Sequence, residues 1–323
     1  MYLKSAVMLC WFVISYVLLI TARHWLVAVP ACVSLGLSMA AIGFNVQHDG
    51  GHGSYSRHAW INRLAALSLD VLGGSSFLWA CKHNGLHHTY TNLSGHDEDI
   101  NLGMLARISP HQPLRFWHRW QSFYLWVLYG FFPIKWQIYD DFADLVHGRA
   151  GNQPLPRLRA TDWLVFLGGK LIFFSLAFLL PLRFHSLSMV LAAYVLVSFV
   201  QGLMLSVVFQ LAHCVDGAEF PSPDPLQNRV ESTWAEHQLM TTVNFCRSNG
   251  VLSWLLGGLN FQVEHHLFPG ICHIHYPMIS RIIEQTCRDY GIPYRSHPTL
   301  ASGLAAHWRW LHRMGQQPPK PAC

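Results

Sequence analysis

The chain has 323 residues, of which 51% are hydrophobic and only 12% are charged. A soluble domain carries about twice that share of charge, so the composition argues against a soluble globular protein. The formal net charge is +5, and 21 histidines stand beside 22 Lys and Arg residues. Because histidine is the commonest metal ligand, this excess indicates metal chemistry. The eight cysteines form no C-x-x-C pair, which argues against a zinc ribbon or a dense disulfide framework.

Four long apolar runs are predicted to cross a membrane as helices. They cover about residues 5–22, 26–45, 163–182 and 187–212. Each is close to the roughly 20 residues that a helix needs to span the hydrocarbon core. The first run is followed at once by the second rather than by a cleavage site, so we interpret it as a retained helix and not a signal peptide. Short loops join the runs in two pairs, which predicts two helical hairpins.

The distribution of basic residues predicts the orientation of these hairpins. The segments 46–160 and 213–323 carry ten and eight Lys and Arg residues, and each short loop carries one. The positive-inside rule therefore puts both long segments and the N-terminus in the cytoplasm. Residues 64–80 are apolar but contain an aspartate, which predicts a re-entrant or packed segment. We expect one all-α integral membrane domain over residues 1–323, with four transmembrane helices and a cytosolic helical cap.

One ionisable residue, Lys170, lies inside the apolar runs. A charged residue at this depth is either functional or costly. Its neighbours are two glycines, so we expect it to pack or to extend its amine toward the headgroups.

Three histidine clusters lie on the predicted cytosolic side. They are HDGGH with His48 and His52, HNGLHH with His83, His87 and His88, and QVEHH with His265 and His266. The pairs His48/His52 and His83/His87 are spaced i,i+4, so each pair shares one face of a helix and can reach one metal ion. His88 lies about 100° further round the helix and is free to serve a second ion.

The third cluster has the same geometry if it is helical. Gln262, His265 and His266 then lie on one arc, and Gln262 is predicted to be a weak or water-mediated ligand. Glu264 faces away from that arc, and Asp49 of HDGGH lies off the His48/His52 face. We expect both carboxylates to support the ligands or to face solvent, since carboxylates that hold a ligand imidazole are common.

At least seven histidines in three pieces fit two metal ions better than one, because a single zinc ion needs only three or four ligands. The Glu-x-x-His signature of soluble di-iron bundles is absent. The sequence also contains no nucleophile elbow, Walker loop or Gly-x-Gly-x-x-Gly element.

The stretches HDGGH, HNGLHHTYTN and NFQVEHHLFPG together resemble the three histidine boxes of the membrane fatty acid desaturases. The resemblance extends over about residues 44–294. The third box begins with glutamine rather than histidine, which is similar to the front-end desaturases and the related bacterial acyl-lipid or acyl-CoA desaturases.

This resemblance implies a di-iron site that uses O2 as co-substrate to remove two hydrogens from an acyl chain. The product carries a cis double bond, and O2 leaves as two waters. The acyl chain is expected to enter an apolar slot between the spans, below the metal ions.

The resemblance also implies roles for residues outside the boxes. His213, at the cytosolic end of the fourth span, corresponds to a metal ligand, and His237 is a weaker candidate. Asn84, Thr91 and Asn92 are expected to hydrogen-bond around the second box. His96, His273 and His275 are expected to support the ligands, contact the substrate headgroup or lie at the surface. The remaining histidines considered are expected to be interfacial or solvated: His58, His111, His118, His147, His297, His307 and His312.

The sequence departs from eukaryotic front-end desaturases because it contains no His-Pro-Gly-Gly haem motif. Electrons are therefore expected from a separate partner of the ferredoxin or cytochrome b5 type. The basic cytosolic segments suit an acidic carrier, or they are ordinary positive-inside charge. The other expected partners are membrane lipids and a fatty acyl group on CoA, carrier protein or lipid, with no nucleic acid. The expected location is the bacterial inner membrane, with the site facing the cytoplasm.

Two alternatives remain open at this stage. The same histidine pattern serves membrane hydroxylases, acetylenases and ketolases. A non-enzymatic metal transporter would need histidines and acids inside the spans, which this sequence lacks. No motif specifies the chain length, the double-bond position or the acyl carrier.

Overall fold

A computed structural model describes residues 1–223 and 230–316. Within these residues, four helices are long and apolar enough to cross a membrane, and they match the four predicted runs: Tyr2–Thr21, Trp25–Gly51, Ala160–Arg183 and Leu187–His213. The second helix runs past the predicted end at residue 45. Its chain continues through a π-helical turn, Gly43–Gln47, directly into the first histidine box. The first box therefore follows the second span without a break in the helical backbone.

Helices make up nearly all of the regular structure, which confirms the all-α prediction. The α-helices are α1 Tyr2–Thr21, α2 Trp25–Ile42, α3 His48–Gly51, α4 Ala59–Ala66, α5 Ser68–Val71, α6 Ser76–Trp79, α7 His88–Tyr90, α8 Gln121–Lys135, α9 Asp141–His147, α10 Ala160–Phe174, α11 Leu187–His213, α12 Trp234–Thr241, α13 Gly250–Leu255, α14 Gln262–Leu267, α15 Tyr276–Tyr290 and α16 Leu300–Met314. Further π-helical turns cover Gly43–Gln47, Ala80–His87, Trp136–Asp140 and Ser175–Leu179, and 3₁₀ turns cover Glu98–Ile100, Phe116–Trp120, Pro181–Arg183 and His273–His275.

The described part of the chain also contains four two-residue strands, which form two small ladders. β1 (Arg149–Ala150) pairs antiparallel with β2 (Gln153–Pro154), and β3 (Asn244–Phe245) pairs parallel with β4 (Ser296–His297). The second ladder matters for the site because β3 precedes the third histidine box and is fully buried.

The predicted re-entrant segment is a broken helix. The helical stretches Ala59–Val71 and Ser76–Tyr90 meet at an angle of 111°. Gly73 forms the bend with φ +96°, a conformation that favours glycine, and a side chain there would lie 2.9 Å from the ring of Phe173. The Ser75 hydroxyl then accepts from Leu78 N and caps the next helix. This bend aims the second histidine box at the end of the spans.

Small residues let the central helices approach closely. A Cβ at Gly202 of α11 would lie 2.4 Å from Pro133 Cδ and 2.5 Å from Tyr129 O, both in α8. A Cβ at Gly36 of α2 would likewise lie 2.7 Å from Val197 O of α11. Small residues serve this purpose widely in membrane helices, where packing rather than hydrophobic exclusion drives association. The contacts fix α11, and hence His213 at its end, against two neighbours.

Lys170 packs inside the protein rather than reaching the headgroups. Its amine lies 2.7 Å from Asp141 Oδ2 and donates to the carbonyls of Gly73 and Gln137. Both charged side chains are almost fully buried. A buried charge needs a partner. Lys170 therefore packs as predicted by forming an ion pair that joins α10 to the start of α9.

Two histidines expected at the interface are instead buried. His118 is 1% exposed and His307 is fully buried. His307 Nδ1 donates to Cys214 O at 2.7 Å, and the Tyr129 hydroxyl lies 2.9 Å from its Nε2. His307 lies on the apolar face of the amphipathic helix α16, which packs against the end of α11. The opposite face of α16 is charged and exposed, so composition alone does not predict that His307 is buried.

Candidate metal centre

The three histidine boxes meet at one end of the four spans. His48 lies in α3, and His52 follows directly at its C-cap. His83 and His87 lie on the π-helical turn Ala80–His87, and His88 begins α7. His265 and His266 lie in α14, which confirms that the third box is helical.

Glycine and tryptophan fix the first box against the second. A Cβ on Gly51 would lie 2.2 Å from Trp79 Cζ3, so only glycine allows the contact. The Trp79 ring stacks on His83 with centroids 4.5 Å apart, and its edge meets the rings of His48 and His52. The second glycine of HDGGH is therefore a packing requirement.

The first group of potential ligands contains four histidines. His48, His52, His83 and His265 each offer a ring nitrogen, and these nitrogens all lie within 4.8 Å of one another. The His48 ring lies 4.7 Å from that of His52 and 4.5 Å from that of His265, measured between centroids. Four imidazoles around one point form a complete donor set for a single ion.

The second group contains His87, His213 and His266, whose nitrogens also lie within 4.8 Å of one another. Their ring centroids are 4.7–4.9 Å apart in each pair. All three side chains are buried. The structure thus brings His213 beside the box histidines.

His88 lies between the two groups. Its nitrogen lies within 4.8 Å of those of His265 and His266, which belong to different groups. Its Nε2 is also 3.3 Å from His83 Nε2. The predicted pair His83/His87 also forms a group, with Asp99, whose ligand atoms lie within 4.8 Å of one another. The turn is π-helical, and its i→i+5 spacing aligns His83 with His88 as well.

Several of these imidazoles form a hydrogen bond to a protein oxygen through Nδ1. His87 Nδ1 lies 3.0 Å from Asp97 Oδ2, His213 Nδ1 lies 3.3 Å from Thr241 O, and His265 Nδ1 lies 3.3 Å from the Tyr276 hydroxyl. The carboxylate and the carbonyl can only accept, so Nδ1 of His87 and of His213 carries the proton and Nε2 keeps a free lone pair.

The buried side-chain atoms that have no hydrogen-bond partner indicate which kind of ligand the site binds. The Nε2 atoms of His52, His87, His265 and His266 are buried without a hydrogen-bond partner, and so is the Oε1 atom of Gln262. Buried polar atoms are rarely left unpaired, and each such atom in a native fold needs an explanation. One metal ion in each group would satisfy these nitrogens, since His52 and His265 belong to the first group and His87 and His266 to the second.

The electrostatics also fit a metal. Burial, together with the neighbouring histidines, holds the pKa of His265 and of His266 well below the usual range. Both imidazoles are therefore neutral at physiological pH, and the neutral form is the one that binds metal. With no carboxylate in the two main groups, the donor set suits a transition metal rather than calcium or magnesium.

Four residues were predicted to support the ligands, and all lie near the boxes. The two carboxylates among them do not contact box histidines. Asn84 Nδ2 donates to Gly51 O, and Asn92 Nδ2 donates to His213 O at 2.9 Å, so both join the second box to neighbouring elements. Asp49 instead accepts from His273 Nδ1 at 2.9 Å. Glu264 is fully buried and bonds to Asn244 and Tyr294. Neither carboxylate holds a box histidine, because each points off the ligand face as the helical geometry requires.

A carboxylate that was not predicted from the sequence, that of Asp97, forms a hydrogen bond to a box histidine. Asp97 binds His87 and also accepts from Asn92 N at 2.8 Å. Asp97 lies in GHDEDI, shortly after HHTYTN of the second box. This cluster of acidic residues is the sequence feature that could have indicated a carboxylate near the site. His237, the weaker ligand candidate, is outside both groups, and its Nε2 lies 3.0 Å from Thr91 O.

An apolar cavity of about 120 Å³ lies among the spans. Its lining includes Leu35 and Met39 from the middle of α2, Ala193 from α11, and Pro181 and His185 at the end away from the box histidines. The predicted slot between the spans therefore has a counterpart in the structure.

Comparison with known proteins agrees with this geometry. A family model described as fatty acid desaturase matches residues 23–298. The chain is 39% identical to an sn-1 linoleoyl-lipid 6-desaturase of Arthrospira platensis, covering 100% of this chain and 88% of the relative. It is 38% identical to the protein of the same name from Synechocystis sp., covering 98% and 89%. An acyl-lipid (8-3)-desaturase of Physcomitrium patens is 37% identical over 98% of this chain and 66% of its own length.

Proposed function

The chain belongs to the fatty acid desaturase family and is a fatty acyl desaturase, and we propose that it works with two iron ions and O2. The observation that carries this proposal is the division of the box histidines into two groups with His88 between them. When bound, the two ions supply the oxidising chemistry that takes hydrogen from an unactivated methylene group, which no side chain can do alone.

In this proposal each group holds one ion. His48, His52, His83 and His265 hold the first, and His87, His213 and His266 hold the second. His88 completes the coordination between them. Gln262 is a weak or water-mediated ligand, because its unpartnered amide oxygen belongs to the same short helix as His265 and His266.

The substrate is proposed to be an acyl group esterified to a membrane lipid. The relatives from Arthrospira platensis and Synechocystis sp. are, by their names, 6-desaturases of a linoleoyl lipid. The apolar cavity among the spans suits the methyl-terminal part of such a chain, since its lining is almost wholly apolar. The carbon to be oxidised then lies between that cavity and the histidines.

The two electrons are proposed to come from a separate carrier of the ferredoxin or cytochrome b5 type. The histidines lie at the end of the spans that the positive-inside rule assigns to the cytoplasm. We therefore propose a bacterial inner-membrane enzyme whose site faces the cytoplasm.

Expression in a bacterial host fed with linoleate tests this function. We expect gas chromatography of the membrane lipids to reveal a new acyl chain that has lost two hydrogens, with the new double bond at carbon 6. An acyl chain that gains one oxygen atom would instead indicate hydroxylation. The purified protein should contain close to two iron ions per chain, and zinc in their place would contradict the proposed centre.

A further inference from the structure

Gln238 is buried at the centre of the site but belongs to no histidine box. It lies on α12, whose start is fixed by a capping box between Thr233 and Glu236. Its side chain is fully buried. Because the residue faces the boxes from a separate helix, its contacts decide whether it has a role there.

The amide of Gln238 connects the second and third boxes. Its Nε2 donates to His88 O at 3.2 Å, and its Oε1 lies 2.9 Å from His266 Nδ1 and 3.0 Å from the Thr91 hydroxyl. A carbonyl can only accept, so the bond to His88 O fixes which end of the amide carries the nitrogen. The oxygen must then face His266.

This arrangement determines the protonation of His266. An amide oxygen can only accept, so His266 Nδ1 must carry the proton, and Nε2 must carry the lone pair. The Nε2 atom is buried without a partner. It belongs to the group formed with His87 and His213.

We infer that Gln238 is a positioning residue that presents His266 Nε2 to the second metal ion. The inference rests on the proposed metal centre. In this inference the uncharged amide of Gln238 holds the Nδ1 atom of His266, as the carboxylate of Asp97 holds that of His87. The same amide sets the spacing between the second and third boxes. Removing a side chain that holds a metal-ligating imidazole in this way typically changes metal affinity by about 10–100-fold.

The test compares three variants by Fe²⁺ binding to chelator-stripped protein under anaerobic conditions. Gln238→Leu removes both the donor and the acceptor, and we expect the affinity of one of two sites to fall by about 10–100-fold. Gln238→Glu keeps an oxygen acceptor for His266 Nδ1, so it should retain both ions more strongly than the leucine variant does.

Gln121→Leu is the matched control. Gln121 is also fully buried and makes three hydrogen bonds, to Arg107 N, Arg107 O and Leu311 O, with no histidine among them. Thermal unfolding should reveal a comparable loss of stability in both leucine variants, while only Gln238→Leu loses iron affinity. Equal affinity in Gln238→Leu and the wild type, or equal loss in both leucine variants, would overturn the inference. A wild-type protein that binds no iron would overturn the proposed centre as well.

Discussion

The Nε2 atoms of His83 and His88 lie 3.3 Å apart across one π-helical turn. An α-helical turn aligns residues four apart, whereas the π-helical turn aligns residues five apart. His83 thereby also faces His88, while His87 contributes to the group with His213 and His266. One local change of helix type thus distributes the second box over both groups of ligands.

This relationship predicts that His83→Ala and His88→Ala each abolish product, because each removes a nitrogen from the point where the groups meet. Iron content should fall below two ions per chain in both variants. Gas chromatography of cell lipids and a metal assay are the measurements. His275→Ala is the control, since His275 is exposed and lies outside the groups. Product from either variant at the control level would remove that residue from the ligand set.

Asp97→Asn should weaken metal binding without dismantling the site. Asparagine keeps an oxygen at this position but loses the charge that strengthens the bond from His87 Nδ1. We expect an affinity for Fe²⁺ about 10–100-fold lower. Asp99→Asn is a close control, since its carboxylate lies 3.8 Å from His87 Nδ1 and is 31% exposed. Similar losses in the two variants would show that general negative charge matters rather than the direct bond.

The sequence predicts the helical boxes and the spans because both depend on local periodicity. Apolar runs of span length identify membrane helices, and the i,i+4 spacing of His48 and His52 describes a true shared face. Asp97 and Gln238 escape such reasoning because they reach the histidines through tertiary contacts. The contact between His83 and His88 escapes it too, since no residue pattern distinguishes a π-helical turn from an α-helical one. Lys170 is detectable as an anomaly, but its partner Asp141 is not.

Ala193→Phe should shorten the acyl chains that are accepted. Ala193 lines the apolar cavity, and the added ring would occupy much of its volume of about 120 Å³. Analysis of products from a mixture of fed fatty acids should reveal a shift toward shorter chains. Ala192→Phe is the matched control, because the neighbouring residue is exposed on the outer face of the same helix. An unchanged chain-length profile in Ala193→Phe would show that the acyl chain does not occupy this cavity.

The buried His307 should make stability depend on pH. Burial lowers its pKa from 6.5 to about 4. Between these values the unfolded chain binds a proton that the folded chain does not, so stability falls as the pH falls from 6.5 toward 4.

The pH effect is isolated by comparing variants in detergent. The unfolding free energy of His307→Gln should depend less steeply on pH in this window, by up to about 1.4 kcal/mol per pH unit. His312→Gln, which changes an exposed histidine on the same helix, should keep the wild-type slope. Parallel curves for the wild type and His307→Gln would contradict the prediction.

The ion pair between Lys170 and Asp141 should be costly to break on one side. Lys170→Met leaves Asp141 buried without its partner, which destabilises a protein by about 3–5 kcal/mol. Adding Asp141→Leu removes the orphaned carboxylate and should recover most of the loss. Thermal unfolding of both variants in detergent is the measurement. Lys135→Met, which breaks the more exposed pair with Asp140, should cost at most about 1 kcal/mol. A double variant no more stable than Lys170→Met would show that the lysine stabilises the fold through its bonds to Gly73 O and Gln137 O rather than through the ion pair.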